Sequence, residues 1–183
     1  MLVEVRWHGR GGQGAVTAAE LLAHAAIEEG LYAQAMPSFG PERRGAPVQA
    51  FNRLSDKPIR TRGAIKQPDV VVVIDEGLLH LSEVSEGLKE SSVLIACSSK
   101  APSELKEELG LRCRVASVNA LKIAREVLGV PITNTSMLGA FVKAAGIVKL
   151  DTVLAKVEER FGLKLGPRNV EVVRKAFEAT EVA

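Results

Sequence analysis

The spacing of apolar residues in the first thirty positions changes from a strand period to a helix period. Between Leu2 and Trp7 apolar residues largely alternate with charged ones, which predicts a partly covered strand. From Ala15 to Glu29 they recur at three and four positions, which predicts a helix that ends before Gly30. A cluster of glycines joins the two segments. The chain therefore begins as strand, glycine loop and helix.

The next segment predicts a second strand, a constrained loop and a hairpin. Leu31 to Met36 has strand character, and the segment from Pro37 to Pro47 contains three prolines, two glycines and three charged residues. Val48 to Leu54 resumes the strand alternation. After a turn at Ser55 to Pro58, Ile59 to Arg62 is predicted to return as a short antiparallel strand. We therefore expect a β-hairpin insertion here.

A continuous aliphatic run from Asp69 to Asp75 marks the centre of a parallel sheet, because only a strand covered on both faces is apolar throughout. Helical and strand patterns then alternate, as in α/β proteins. They predict helix Gly77 to Lys89, strand Ser92 to Cys97, helix Pro102 to Leu109 and strand Arg112 to Val118.

The last third of the chain is helical. The predicted helices are Ala120 to Leu128, Met137 to Ala145, Asp151 to Phe161 and Asn169 to Thr180, with Asp151 as an N-cap and Gly129, Gly146 and Gly162 as stops. The pattern as a whole predicts an α/β fold. We expect a three-layer α/β/α, Rossmann-like domain over residues 1–183, with a mostly parallel sheet and a helical C-terminal region.

Composition narrows the classes of function. A net charge of +2 and an aromatic content of 4% do not favour a nucleic-acid partner. The longest aliphatic run, Val70 to Ile74, is too short to span a bilayer, and the N-terminus lacks a secretory pattern, so a cytoplasmic protein is expected. Cys97 and Cys113 stand far apart, without the spacing of a metal site.

The glycine loop between the first strand and helix has the spacing G-x-G-x-x-G, from Gly9 to Gly14. Such a loop allows the backbone to approach a phosphate at a helix N-terminus. A dinucleotide site would also need an acidic residue after the second strand, and none occurs between Tyr32 and Met36. The remaining interpretations are a surface that docks a partner or a neighbour's cofactor phosphate, and a tight turn that only packs helix on sheet.

The loop from Ser38 to Pro47 is the second unusual feature, because it places Glu42, Arg43 and Arg44 on a backbone stiffened by proline. Adjacent arginines can clamp phosphate or carboxylate groups, and loops of this fold class meet at the carboxyl ends of the strands, beside the glycine turn. The alternative is a solvated run of charges with internal ion pairs.

The remaining candidates give no complete active site. The three histidines, His8, His24 and His80, lack metal-ligand spacing, and Asp75 followed by Glu76 has no accompanying phosphate-binding loop of the Walker type. We therefore predict no catalytic residues and no metal site within this chain.

Two segments carry a family resemblance. His8 to Ala19, with its Gly-Arg-Gly-Gly-Gln-Gly core, and Phe39 to Val48 resemble the gamma subunit of the 2-oxoacid:ferredoxin oxidoreductases, in particular the pyruvate enzyme. The strand ending at Asp75, the segment Pro131 to Thr135 and Asn169 extend the similarity over nearly the whole chain.

The resemblance implies a subunit that joins alpha, beta and delta subunits in an enzyme that oxidatively decarboxylates pyruvate with coenzyme A and reduces ferredoxin. Thiamine diphosphate, Mg²⁺ and iron–sulfur clusters would be held by the complex, and none by this chain alone. The residues expected to contact a cofactor are Gly9, Arg10, Gly11, Gly12, Gln13, Gly14, Glu42, Arg43, Arg44 and Gly45.

The substrate stays open at this point. A similar glycine turn occurs in the 2-oxoglutarate and indolepyruvate enzymes, and a gamma subunit can be shared by the pyruvate and branched-chain 2-oxoacid enzymes. An independent nucleotide-binding protein and a purely structural scaffold are the alternatives from other classes.

Overall fold

The computed structural model of the chain describes residues 1–38 and 44–183, which form one mixed sheet flanked by helices. The strands are β1 (Leu2–Arg10), β2 (Tyr32–Pro37), β3 (Pro47–Ser55), β4 (Val70–Val73), β5 (Val93–Cys97), β6 (Arg114–Val118) and β7 (Glu181–Val182). The helices are α1 (Ala15–Glu28), α2 (Ser82–Ser85), α3 (Pro102–Glu108), α4 (Ala120–Leu128), α5 (Asn134–Ala145) and α6 (Leu150–Ala179).

The order of strands across the sheet is β2-β3-β1-β4-β5-β6-β7. Strands β1, β4, β5 and β6 are parallel neighbours, whereas β3 runs antiparallel to both β1 and β2, and β7 runs antiparallel to β6. Five of the seven strands therefore point the same way, which confirms the predicted α/β class with a mostly parallel sheet.

The two faces of the sheet have separate cores, because side chains alternate along each strand. Val70 and Val72 of β4 pack into a large core with α1, α5 and α6, whereas Val71 and Val73 pack into a smaller one with α2 and α3. The prediction that this strand is covered on both faces is confirmed. The outcome is three layers, with the thicker helical layer on one side.

The predicted hairpin is wrong in its second strand. Ile59–Arg62 is irregular, and the antiparallel partners of β3 are β2 and β1. The buried guanidinium of Arg53 binds the carbonyl oxygens of Thr61 and Gly63, so this segment is held by a side chain rather than by a strand ladder. Strand β3 thus lies between the two strands that α1 connects.

The predicted helix from Gly77 to Lys89 is also wrong. A 3-10 turn at Glu76–Leu78 is followed by the single turn of α2, with Leu81 extended between them. The carboxylate of Asp75 accepts a hydrogen bond from the N–H of Gly77 at 2.8 Å, which stabilises a short turn. Helix α2 ends at Ser85, because Glu86 leaves the helical region with ψ 126°, and Gly87 follows with a positive φ of 74°.

The C-terminal helices match their predictions with three differences, the first being that α5 starts at Asn134 rather than Met137. Gly129 and Gly146 end α4 and α5 in the left-handed conformation, as predicted. Helix α6 begins at Leu150, so Asp151 lies in its first turn and is not the N-cap. The two predicted helices of this region directly abut, because the chain turns at Gly162 (φ 69°, ψ −171°) without an intervening loop.

Candidate functional site

Strand β1 extends three residues beyond the predicted end at Trp7 and carries the glycine turn directly at its carboxyl end. A Cβ atom at Gly9 would lie 2.7 Å from Cδ1 of Ile74, so glycine leaves the room that the buried Ile74 side chain occupies just after β4. Gly14 is the N-cap of α1 with φ 84°, a conformation that other residues rarely adopt. The sequence pattern therefore reflects close packing as well as a tight turn.

The polar side chains of the turn converge on Asp75. Gln13 Nε2 donates to Asp75 Oδ2 at 2.6 Å, and Arg10 Nε donates to the same oxygen at 3.2 Å. The other end of the Gln13 amide accepts the backbone N–H of Arg10 at 2.7 Å. Three groups thus fix the shape of the turn by hydrogen bonds, two of them charge-assisted.

Asp75 is a structural residue of the site that the sequence interpretation treated only as a strand end. Its Oδ1 also caps the 3-10 turn through Gly77. Its position directly after the buried strand β4 was the available signal, because carboxyl ends of adjacent parallel strands meet at one edge of the sheet.

The second loop reaches the glycine turn through backbone pairing. Gly11 forms an isolated parallel bridge with Arg44, in which Gly11 N–H donates to Ala46 O at 2.9 Å and Gly45 N–H donates to Gly11 O at 3.1 Å. The side chain of Arg10 adds a bond to Gly45 O at 3.3 Å. The structure therefore brings together the Gly9–Gly14 turn with Arg44 and Gly45, whereas Glu42 and Arg43 lie outside the described residues.

The start of α5 closes the turn from the helical side. Thr133 Oγ1 donates to Ile74 O at 2.7 Å, and Asn134 Nδ2 donates to Gly14 O at 3.4 Å. Thr135 Oγ1 in turn donates to Asn169 Oδ1 at 3.0 Å inside the interface of α5 with α6. The residues that carried the resemblance late in the chain thus support the turn rather than form a second site.

A cleft of about 540 Å³ opens beside Asp75 at the carboxyl ends of β4 and β5. Its lining includes Gln13, Asp75, Ser98, Lys122, Arg125 and Thr133. The connection from β1 leads to β2 on one side of β1 in the sheet, whereas β4 and β5 lie on the other side of β1. The cleft therefore adjoins a topological switch point of the sheet. Open α/β sheets bind ligands at such points.

The charged side chains around the turn are of both signs, so the turn is not strongly cationic. Asp75 balances Arg10, while Glu76 accepts the hydroxyl of Ser98 at 2.5 Å. Arg44 is exposed beside Gly45, and Lys122 and Arg125 lie at the cleft. The N–H groups of Arg10, Gly11 and Gln13 already donate within the protein, so a phosphate or carboxylate at the turn would be met mainly by the nearby guanidinium groups and by the start of α1.

His8 is next to the turn in sequence but belongs to the opposite layer. Its Nε2 accepts a hydrogen bond from Arg6 Nε at 2.9 Å in the buried second face. Burial first, and the Arg6 charge second, lower the pKa of His8 from 6.5 to about 4. His8 is therefore neutral at physiological pH and acts as a structural acceptor.

The two cysteines do not fit an iron–sulfur cluster within this chain. Cys97 packs in the core on one face of the sheet and Cys113 in the core on the other, so their side chains cannot share a ligand. Burial raises the pKa of Cys97 to about 11 and also raises that of Cys113, which keeps both as thiols rather than the thiolates that ligate iron.

Within residues 1–38 and 44–183, no helix is both long and apolar enough to cross a bilayer. In the same part of the chain, no group of three or more histidine, cysteine or acidic side chains is placed to hold a metal ion.

Comparison with known proteins assigns the chain to a family. The pyruvate ferredoxin/flavodoxin oxidoreductase family pattern matches residues 4–179. The pyruvate/ketoisovalerate oxidoreductases common subunit gamma of Thermococcus litoralis is 52% identical over 99% of this chain and 98% of its own length. The pyruvate synthase subunit PorC of Methanothermobacter thermautotrophicus is 48% identical over 98% of this chain and 97% of its own.

A solved structure supports the same assignment. The crystal structure of the pyruvate oxidoreductase subunit PORC of Thermotoga maritima superposes with a TM-score of 0.89 at 38% identity, covering 100% of this chain and 98% of that one. With matching sequence and fold over nearly its full length, the chain belongs to the pyruvate ferredoxin/flavodoxin oxidoreductase family.

Proposed function

We propose that this chain is the gamma subunit of a pyruvate:ferredoxin oxidoreductase. The complex converts pyruvate and coenzyme A to acetyl-CoA and CO₂, and it passes two electrons to ferredoxin. The observation that carries the proposal is the end-to-end similarity, at about half identity, to gamma and PorC subunits of roughly equal length. The chain works as one domain, residues 1–183, inside a cytoplasmic assembly with alpha, beta and delta subunits.

The chemistry requires groups that the partner subunits hold. Thiamine diphosphate with Mg²⁺ supplies the decarboxylation chemistry and iron–sulfur clusters carry the electrons when bound in the complex. The positions of Cys97 and Cys113 on opposite faces of the sheet support cluster ligands from other subunits. This chain therefore contributes binding and positioning rather than bond cleavage.

The glycine turn is the part of this chain that we assign to the active centre. The Gly9–Gly14 turn, through its N–H groups other than the internally bonded ones of Arg10, Gly11 and Gln13, and the guanidinium groups of Arg43 and Arg44 would contact the phosphates of coenzyme A bound against a neighbouring subunit. The Gly11–Arg44 pairing and the Asp75 hydrogen bonds support this role, because they hold the turn and the loop in a single arrangement before any ligand arrives.

A second substrate is favoured by one specific observation. The Thermococcus litoralis relative, at 52% identity, is named as a subunit common to pyruvate and ketoisovalerate oxidoreductases. We therefore keep as an alternative that this chain also serves a branched-chain 2-oxoacid enzyme, in which the substrate is selected by other subunits.

Purification of the chain from its own cells tests the proposal. A tagged chain should bring down alpha, beta and delta subunits identified by mass spectrometry, and the eluate should form acetyl-CoA from pyruvate. If two sets of partners are recovered, the chain is shared between enzymes. Recovery of the tagged chain as a monomer, with a bound nucleotide and without any partner chain, would favour the independent nucleotide-binding protein instead.

The role of the arginines is tested in the assembled enzyme. R43A/R44A should raise the KM for coenzyme A several-fold while the KM for pyruvate stays unchanged. R112A/K175A removes two exposed charges far from the turn and serves as the matched control. Loss of assembly without a change in coenzyme A kinetics would assign the loop to subunit bridging, and no change in either would leave it a solvated run of charges.

A further inference from the structure

The segment between β3 and β4, residues 56–69, has no helix or strand although it crosses a face of the sheet. Irregular segments of this length are uncommon in compact domains and usually have a function. It lies at the end of the sheet away from the glycine turn, because it joins the end of β3 to the start of β4. It lies on the face opposite α1, because it is bound by Arg53, whereas the next residue, Leu54, packs on the α1 side. The proposed coenzyme A site does not include it.

A buried arginine holds the first half of this segment. Arg53 is 1% exposed, and its guanidinium donates to Thr61 O at 3.4 Å and to Gly63 O at 2.5 Å. Its Nε donates to Glu4 Oε1 at 2.8 Å, so the buried charge is paired. Gln34 Nε2 donates to Ile59 O at 3.5 Å.

The second half is held by packing and by one hydroxyl. Ile65 is 4% exposed, and Ser92 Oγ donates to Pro68 O at 2.7 Å. The backbone of Lys66 lies so close to Gly87 that a Cβ atom there would collide with the Lys66 carbonyl. The segment is therefore preorganised, and it loses little conformational entropy when a partner binds.

Four of the outward side chains of this segment are cationic, and its two acidic residues, Asp56 and Asp69, are bound to the N-terminal ammonium group and to Lys89. Lys57, Arg60, Arg62 and Lys66 are all exposed, and residues 57–66 contain no acidic residue. Among the described residues, no carboxylate lies within 4 Å of any of the four. Other exposed cations, such as Arg125 and Lys164, also lack such a partner in the described part of the chain, so the segment is distinguished by four of them within ten residues.

Two half-exposed apolar side chains lie beside these cations. Leu2 and Tyr32 are 51% and 50% exposed, and both pair directly opposite Ser55 in the sheet, one from each side. Directly paired residues share a face, and Arg53 shares it too because it lies two positions from Ser55. Tyrosine and arginine around an apolar centre are the composition enriched at protein interfaces.

We propose that this basic surface, formed by Leu2, Tyr32, Lys57, Arg60, Arg62 and Lys66, docks an acidic surface of a neighbouring subunit. The proposal rests on the proposed function, which supplies the partner chains. Nine residue steps separate Lys57 from Lys66, up to about 30 Å of extended chain, so the cations suit a broad surface rather than one small anion. Residues 57–66 also contain no aromatic side chain to stack on a nucleic-acid base.

Zero-length cross-linking of the purified complex is the direct test. A carbodiimide joins a lysine amine to a carboxylate only when the two are in contact. We expect Lys57 or Lys66 to be joined to an aspartate or glutamate of one partner subunit, identified by mass spectrometry. Cross-links from this chain to its partners that never include these two lysines would overturn the proposal.

Charge reversal supplies an independent readout. R60E/R62E should weaken assembly at least tenfold, and the loss should shrink as the salt concentration rises, because screening weakens repulsion as well as attraction. R112E/K175E changes the net charge equally at exposed sites on other elements and should assemble like the wild type. R60E/R62E should keep the wild-type thermal midpoint, since neither side chain is buried.

The outcomes separate the two proposals. If the wild-type chain recovers no partner subunit, the proposed function itself fails. If the wild type assembles and R60E/R62E assembles equally well, only the docking surface is wrong. If R60E/R62E assembles normally but loses retention on immobilised RNA that the wild type shows, the surface belongs to a nucleic acid and the subunit proposal is again refuted.

Discussion

Substitution of Gly14 by alanine probes the contact between the glycine turn and α5. Gly14 has a φ of 84°, and a Cβ atom added there would meet the side-chain amide of Asn134, with its Cγ at 3.0 Å. Gly30 offers a matched control, because it has a φ of 83° and nothing within 4 Å of the added atom. The two variants therefore share the backbone strain and differ in the steric contact.

The expected magnitudes follow from these two terms. A left-handed alanine costs about 1–2 kcal/mol, which applies to G14A and G30A alike. Forcing extra volume into a packed site costs about 1–3 kcal/mol more, which applies to G14A alone. We expect G14A to lose roughly 2–5 kcal/mol of unfolding free energy.

Urea unfolding of the isolated chain measures this difference. The single tryptophan, Trp7, is fully buried and reports global unfolding by fluorescence. In the G14A background, Asn134→Ala should recover about 1 kcal/mol or more of the loss, since it removes the group that collides. Equal destabilisation in G14A and G30A, with no recovery in the double variant, would refute the packing of α5 on the turn.

Three further predictions concern single side chains. Between about pH 4 and 6.5 the unfolded chain binds a proton that native His8 does not, so the unfolding free energy should fall on acidification through this window. Urea titrations at several pH values should show that this fall is about 3 kcal/mol smaller in His8→Gln than in the wild type. With a pKa of about 11, Cys97 should react slowly with iodoacetamide at pH 8 in the native chain and rapidly in denaturant, and fast native labelling would contradict its burial. Asp75→Ala should destabilise the chain by about 2 kcal/mol by releasing Arg10 and Gln13, and Asp75→Asn by less; equal melting curves for wild type and Asp75→Ala would show that these bonds contribute nothing.

Elements with a strong local period could be predicted from the sequence. Helix α4 has the same first and last residues as its prediction, and the valine run of β4 is buried on both faces as its composition indicated. In each case the buried positions are determined by a pattern of apolar residues that spans only a few positions of the sequence. The glycine stops at Gly129 and Gly146 have the same local origin.

Features that depend on distant partners could not be predicted. The pairing of β3 with β1 joins segments about 45 positions apart, and the expected local partner, Ile59–Arg62, is instead held by the buried Arg53. The short turn after Asp75 arises because that side chain caps Gly77, which a helical apolar pattern does not reveal. At the site, the glycine turn and Arg44 were expected together, but the role of Asp75 as the anchor of Arg10 and Gln13 within the turn was not.

Reconstitution with and without this chain tests the central proposal most directly. Alpha, beta and delta subunits are combined with thiamine diphosphate, Mg²⁺, coenzyme A and ferredoxin, and pyruvate-dependent ferredoxin reduction is followed. We predict low activity without the chain, full activity when it is added, and none for the chain by itself. Pyruvate oxidation by the isolated chain, or full activity of the other subunits without it, would contradict its assignment as the gamma subunit.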